Sequence, residues 1–175
     1  AFDLDKARAL LQQAGISSAA MDMRVQSANP EQLAFAQIYQ ADLATLGITI
    51  NIMNLDLATW KDQVNNKKYT GMFVALGGGG QLSPSSMFTT GIAFAPQVNN
   101  QGFTSPDYVR LIGELTSELD ETKRQPLYQQ LNDLLLDESF DMPLATAPAR
   151  LVTSAAVHDV GYTVGQPLYT NAWLG

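Results

Sequence analysis

The sequence predicts an α/β fold: an open, mainly parallel sheet flanked by helices, followed by an irregular or antiparallel β part at the C-terminus. Two observations carry this. Up to Leu76, segments with helical spacing alternate with β-branched or apolar segments in the order α-β-α-β-α-β. The strands are therefore separated by helical crossovers, which run right-handed and leave the strands as parallel neighbours. A chain of 175 residues, 46% of them hydrophobic, is long enough to bury one ordinary core. The whole of 1–175 is accordingly expected to be a single α/β lobe.

The first helix starts at Asp3 or Asp5 as cap. Its apolar face carries Leu4, Ala7, Leu10, Leu11 and Ala14, and Gly15 stands where a C-cap belongs. Met21 to Ala28 reads as a strand with Met21, Met23 and Val25 on one side. Asn29 then caps a second helix with Pro30 at its first position. The stripe of that helix is Leu33, Ala36, Ile38, Ala41, Leu43 and Leu46, and Gly47 ends it. Ile48 to Ile52 is the clearest strand, with β-branched residues at alternate positions. A third helix runs from about Asp56 to Asn66 with Leu57, Trp60 and Val64, and Met72 to Leu76 forms a short apolar strand.

The stretch from Gly77 to Ser105 is rich in Gly, Ser, Asn and Pro and reads as loop, with a short helix near Ser83-Pro84. Ser105-Pro106-Asp107 opens a helix that runs to Leu119. The next helix shows Leu127, Leu131, Leu134 and Leu135 on one face, and Pro126 is expected in its first turn. Beyond it, Met142 to Leu144, Arg150 to Thr153 and Val157 to Val164 are short strand-like pieces. They either complete the sheet antiparallel or leave the domain.

Seventeen acidic against ten basic side chains give a formal charge of −7, which disfavours nucleic acid and anionic membranes as partners. With no cysteine and one histidine, disulfide scaffolds, thiol nucleophiles and multi-histidine metal sites are excluded. His158 lies in a polar turn and reads as a surface residue; no Gly-x-Ser-x-Gly elbow accompanies it, so no catalytic residue is assigned. Carboxylate pairs such as Glu118 with Asp120 or Asp137 with Glu138 fall at helix ends or on solvated faces. Trp60 and Trp173 both offer rings for stacking on a sugar or a peptide side chain, but Trp60, on the apolar stripe of a short helix, reads rather as core.

Gly77, Gly78, Gly79 and Gly80 follow the third strand. Glycines there would cradle phosphate through bare N–H groups, but no Gly-Lys-Ser/Thr follows and Leu82 breaks any GxGxxG. A ligand-contacting loop at the carboxyl edge of an open sheet is the better reading. Gln81 and Ser83 extend that loop, and Asn99, Asn100 and Phe103 are further ligand-binding candidates. A small α/β enzyme domain holding a nucleotide or phosphate at Gly77 to Gly80 is the rival reading.

Several segments in order resemble the C-terminal lobe of ABC-transporter solute-binding proteins of the dipeptide/oligopeptide/nickel class. They are Phe2 to Leu11 with Ala14-Gly15, Ala41 to Ile48, Leu55-Asp56 with Trp60, and Lys68-Tyr69 with Met72 to Leu76. Gly102 to Tyr108, Lys123-Arg124 with Leu127-Tyr128, Met142-Pro143-Leu144, Arg150 to Val152 and Trp173-Leu174 continue the match. The resemblance implies a periplasmic-binding-protein-like lobe, extracytoplasmic and non-catalytic. It further implies a small solute held in an interlobe cleft, an ABC permease as membrane partner, no cofactor, and an N-terminal lobe that these residues do not include.

The sequence departs from the family in one loop. Peptide-binding members carry a Trp and an Asp after the third strand, the Asp pairing with the ligand amino group. Here Gly77 stands near the first position and Gly80 at the second, and Ser83-Pro84-Ser85-Ser86 replaces Asp-Pro-Asp-Asn. A buried ammonium needs an anionic partner, so neutral solutes, sugars included, gain weight over peptides. A sensory or adaptor domain that kept the lobe and lost transport is a third reading.

Overall fold

The computed structural model describes residues 3–75, 84–145, 151–163 and 166–175. They gather into two compact units, Ala1–Leu76 and Gly77–Gly175.

The first unit contains α1 (Leu4–Gln13), β1 (Ala19–Gln26), α2 (Pro30–Ala44), β2 (Ile48–Leu55), α3 (Leu57–Asn65) and β3 (Met72–Phe73). The strands form one sheet in the order β2-β1-β3, and both pairings are parallel, as the alternation predicts. The register sets Ala19 against Ile48 and Met23 against both Ile52 and Met72. Met23, Val25, Ile48, Ile50 and Val74 are buried, with Ala36 of α2 against them. Each such apolar side chain taken fully out of water stabilises the unit by about 1.5–3 kcal/mol.

Helix starts follow the expected chemistry. Asp3 accepts a hydrogen bond from Lys6 N at 2.9 Å, and Asp56 accepts from Ala58 N and Thr59 N at 2.9 and 3.0 Å. Gly15 and Gly47 both take positive φ, +70° and +79°, where L side chains are strained.

Four details differ from the sequence reading. The first strand ends at Gln26 rather than Ala28, because Asn29 N bonds Gln26 O and turns the chain. The third strand pairs only at Met72–Phe73, shorter than the Met72 to Leu76 expected; Leu76 itself lies outside the described residues. In α2, Ile38 is 56% exposed while Gln32 is buried. The strand-end polar groups of β1 need a partner, and a glutamine at that position of the helix supplies one.

The second unit holds α4 (Pro84–Thr90), α5 (Pro106–Ser117) and α6 (Glu121–Glu138). Ser105 caps α5 by accepting from Tyr108 N at 3.2 Å. Pro126 sits inside α6, not in its first turn. Asp120 decides this: its carboxylate accepts from Thr122 N and Oγ1 at 2.9 and 2.6 Å, and its carbonyl from Lys123 N and Arg124 N. That cap starts the helix well ahead of the proline, whose missing donor then costs one bond near the N-terminal end. The core joins Phe88, Tyr108, Leu111, Ile112, Leu115 and Leu131, with Phe103 and Phe140 stacked 4.1 Å apart beside it. Leu127, Leu134 and Leu135 pack on this core as their spacing predicts.

After α6, residues 142–145 and 151–156 form no strand among those described, contrary to two of the strand-like readings. The third is split into β4 (Val157–His158) and β5 (Gly161–Thr163), because Asp159 takes a φ of +55° between them. β6 (Gln166–Leu168) pairs antiparallel with β5, and β7 (Trp173–Leu174) antiparallel with β4. These two ribbons do not extend the parallel sheet.

Candidate functional site

The strand order creates one special place in the first unit. From β1 the chain crosses to β2 on one side; from β2 it crosses back to β3 on the other. The carboxyl ends of β1 and β3 therefore flank a topological switch point, where open α/β sheets bind ligands because the helices depart in opposite directions and leave a crevice.

Three polar side chains furnish the β1 end. Gln32 is 1% exposed, and its Oε1 accepts the Gln26 backbone N–H at 2.8 Å. That donor fixes the amide orientation, since a flipped amide would oppose donor to donor. Its Nε2 is buried and has no acceptor among the described residues. Asn29 Nδ2 donates to Gln26 Oε1 at 3.0 Å instead of capping α2. Sequence reasoning passed over Gln32, although a glutamine three residues after the cap Asn29 is a capping-box pattern.

On the opposite face of β1, Arg24 is almost wholly buried. Its Nε donates to Gln63 Oε1 at 2.6 Å and its Nη1 to Thr70 O at 2.8 Å, with Asp22 Oδ2 3.8 Å from Nη2. The guanidinium lies 5.6 Å from the Tyr69 ring centroid. Burial raises the Tyr69 hydroxyl above its ordinary range, and the Arg24 charge opposes that rise. Arg24 thus ties β1 to α3 and to the loop that enters β3. Its only sequence signal is a charge inside an otherwise apolar strand. Gly71, φ +87°, precedes β3, and a Cβ there would strike the Asp22 carbonyl oxygen.

Gly77, Gly78, Gly79, Gly80, Gln81 and Ser83 lie outside the described residues. The other three candidates belong to the second unit. Asn99 is fully buried, and its side chain spans its own loop: Oδ1 accepts from Phe103 N at 2.8 Å, and Nδ2 donates to Phe103 O at 2.7 Å and Ala95 O at 3.3 Å. Asn100 is buried, with its backbone N–H bonded to Ile92 O. Phe103 packs between Phe140 and Tyr108. Beside them Gln101 Nε2 donates to Asp141 Oδ2 at 2.8 Å, and burial raises the Asp141 carboxyl above the usual range against the pull of that bond. Burial likewise raises the Tyr108 hydroxyl, which donates to Phe94 O at 2.6 Å.

Trp60 is buried as core, edge-on to Phe73. His158 is half-buried rather than a free surface residue, because the Trp173 ring stacks on it at 4.2 Å. Glu118 and Asp120 serve the α6 entry, Glu118 Oε1 accepting from Asp120 N at 2.8 Å. Among the described residues no group of three His, Asp or Glu is placed to hold a metal, and no helix is long and apolar enough to cross a membrane. An open recess of about 490 Å³ lies between Arg8, Leu11, Ile16 and Leu46. It opens at the amino ends of β1 and β2, and its one charged group, Arg8, is paired with Asp5. The switch point is the better site on topological grounds.

The parallel sheet with flanking helices and an open carboxyl edge defines a periplasmic-binding-protein-like lobe, and comparison with known proteins agrees. Residues 1–95 match the model of the bacterial extracellular solute-binding proteins, family 5, middle region, and the chain belongs to that family. The family is extracellular, which places the chain outside the cytoplasm. No curated protein sequence matches the chain.

Among solved structures, it is similar to a dipeptide-binding protein from Pseudoalteromonas sp. SM9913 in complex with Met-Leu. That match has 19% identity and a TM-score of 0.80, and covers 99% of this chain and 36% of that one. NikA from Brucella suis, in complex with Fe(III)-EDTA, matches at 23% identity and TM-score 0.62 over 80% of this chain and 31% of its own. AgaA from A. tumefaciens R10, in complex with agropinic acid, matches at 20% identity and TM-score 0.66 over 79% and 29%. The chain thus spans about a third of the length of these proteins.

Proposed function

We propose that the chain is the C-terminal lobe of a non-catalytic solute-binding protein that serves an ABC importer, with its solute enclosed between this lobe and another. The observation that carries this reading is family membership together with a switch point at the carboxyl ends of β1 and β3. Both units would belong to the one lobe. Solute capture by two lobes closing on a hinge needs a preformed polar edge rather than a catalytic constellation. In this reading Gly77 to Gln81 and Ser83, with Asn99, Asn100 and Phe103 as weaker candidates, would form this lobe's half of the cleft.

Its relatives bind a dipeptide, a metal chelate and agropinic acid, so the fold itself does not choose the solute. The glycine loop carries no carboxylate, which favours a neutral solute over one with a free ammonium. Calorimetry on the natural protein with its second lobe, using sucrose and Met-Leu as probes, tests this. Sucrose is expected to bind more tightly, and Gly79→Leu to weaken it by about tenfold or more, about 1.4 kcal/mol. A wild-type protein that binds neither would sink the reading. The rival, a nucleotide-binding enzyme domain, draws no support from the family match or the structural relatives. An ATP-induced rise in the Tm of this chain would revive it.

A further inference from the structure

Arg124, near the start of α6, carries a guanidinium with no hydrogen-bonded acceptor among the described residues. Its side chain keeps 22% of its exposure, and its Nε is buried without a partner. Its one ion pair among those residues is with Glu121, whose Oε2 stands 3.5 Å from Nη1 on a side chain 65% exposed, a loose contact that water screens. The other carboxylates of this end of the helices are engaged. Asp120 accepts from Thr122, Glu118 from Asp120 N, and Asp107 and Glu114 from Arg110. From Gln63 to Pro106, and again from Met142 to His158, the chain has no carboxylate side chain at all. Arg24, the buried guanidinium of the first unit, differs: it has acceptors at 2.6 and 2.8 Å.

Taking a guanidinium largely out of water without acceptors destabilises the fold, and an anion that supplies them removes the penalty. The position of Arg124 on α6 indicates which anion. Spacings of three, four and seven residues put it on one face with Leu127, Tyr128 and Leu131, the face that packs on the core of the unit. On that face the Tyr128 hydroxyl stands 3.1 Å from Ser85 Oγ of α4. α4 begins at Pro84, directly after Ser83, the last residue of the stretch assigned above to the cleft.

We propose that Arg124 recognises a carboxylate of the solute, so that this protein takes acidic solutes without an ammonium, such as sugar acids, in preference to neutral ones. The proposal rests on the solute-binding reading above and narrows its solute class. A planar guanidinium meets a carboxylate through two parallel N–H···O bonds, a match that a hydroxyl does not offer. The absence of a carboxylate from the cleft stretch serves the same end, since none there repels the acid.

Calorimetry on the natural protein with its second lobe, at low ionic strength, compares lactobionate with sucrose, two solutes of similar size of which only the first is acidic. Lactobionate should bind about tenfold or more tighter. That ratio should fall toward one in Arg124→Gln and survive in part in Arg124→Lys, which keeps the charge and loses the fork. Thermal unfolding without solute gives a second readout: Arg124→Met should raise the Tm by about 1 °C or more, because it removes an unpaired charge from the interior, whereas loss of a merely structural arginine lowers it. Lactobionate binding no tighter than sucrose overturns the proposal, while sucrose binding keeps the solute-binding reading intact. A ratio that Arg124→Gln leaves unchanged, or a Tm that Arg124→Met lowers, overturns it as well. A protein that binds Met-Leu and neither of these solutes also ends the proposal alone; one that binds none of the three removes both.

Discussion

The first unit builds its core by strand alternation, from Met23, Val25, Ile48 and Ile50 held in register by parallel ladders. The second unit builds its core from α5 and α6, through Tyr108, Leu111, Leu115 and Leu131, and finishes it with stacked rings from loops. In the sheet, backbone hydrogen bonds fix positions first and side chains fill what is left. In the helical unit, side-chain packing alone sets how the helices meet, so single residues matter more. Three substitutions break or sharpen this contrast.

The largest effect is expected from Leu131→Ala. Leu131 is fully buried between α6 and the rest of its core, and truncation there should cost about 2–5 kcal/mol, read by denaturant unfolding. Exchange should accelerate in α5 and α6; unchanged stability would show that the helical core collapses around the hole. Next is Gly71→Ala, where the weak point is backbone rather than packing. The new Cβ would meet the Asp22 carbonyl at a φ of +87°, and strain of this kind costs about 1–3 kcal/mol. The loss should appear as faster exchange at Val74 N, which bonds Arg24 O across the β1–β3 edge.

The smallest effect is electrostatic. Burial raises the Asp141 carboxyl above its unfolded value, so the folded state holds the proton more tightly. Stability is then highest below the unfolded value, about pH 3.9, and falls as pH rises through the higher folded value. Asp141→Asn should raise the Tm at neutral pH, and the gain should vanish near about pH 3. A constant gain across that range would show that the carboxylate is not strained by burial.

Legibility followed the same division. The order of six elements, the parallel sheet, the helix starts at Asp3 or Asp5, near Asp56 and at Ser105, and the buried Trp60 and Leu131 were all readable, because each depends on spacing or on a local hydrogen bond. Pro126 was not, because the Asp120 cap outweighed it several residues upstream. Arg24 and Gln32 were not readable as buried, because their burial depends on Gln63, Thr70 and the Gln26 amide, supplied from other elements or the end of a strand. Asn99 and Phe103, singled out as ligand contacts, are engaged in shaping their own loop and core.

By itself, then, the sequence determined the kind of fold, the absence of thiol and multi-histidine chemistry, and the family through its ordered motifs. These are properties of local pattern and composition, which need no partner across space. Only the tertiary structure decided that β1 is the central strand with the switch point beside it. It also decided that Arg24 is an interior clamp, and that no described residue after Phe140 joins its unit's buried core. Those depend on which distant residues meet, and a chain of side chains does not carry that until the sheet and helices have packed.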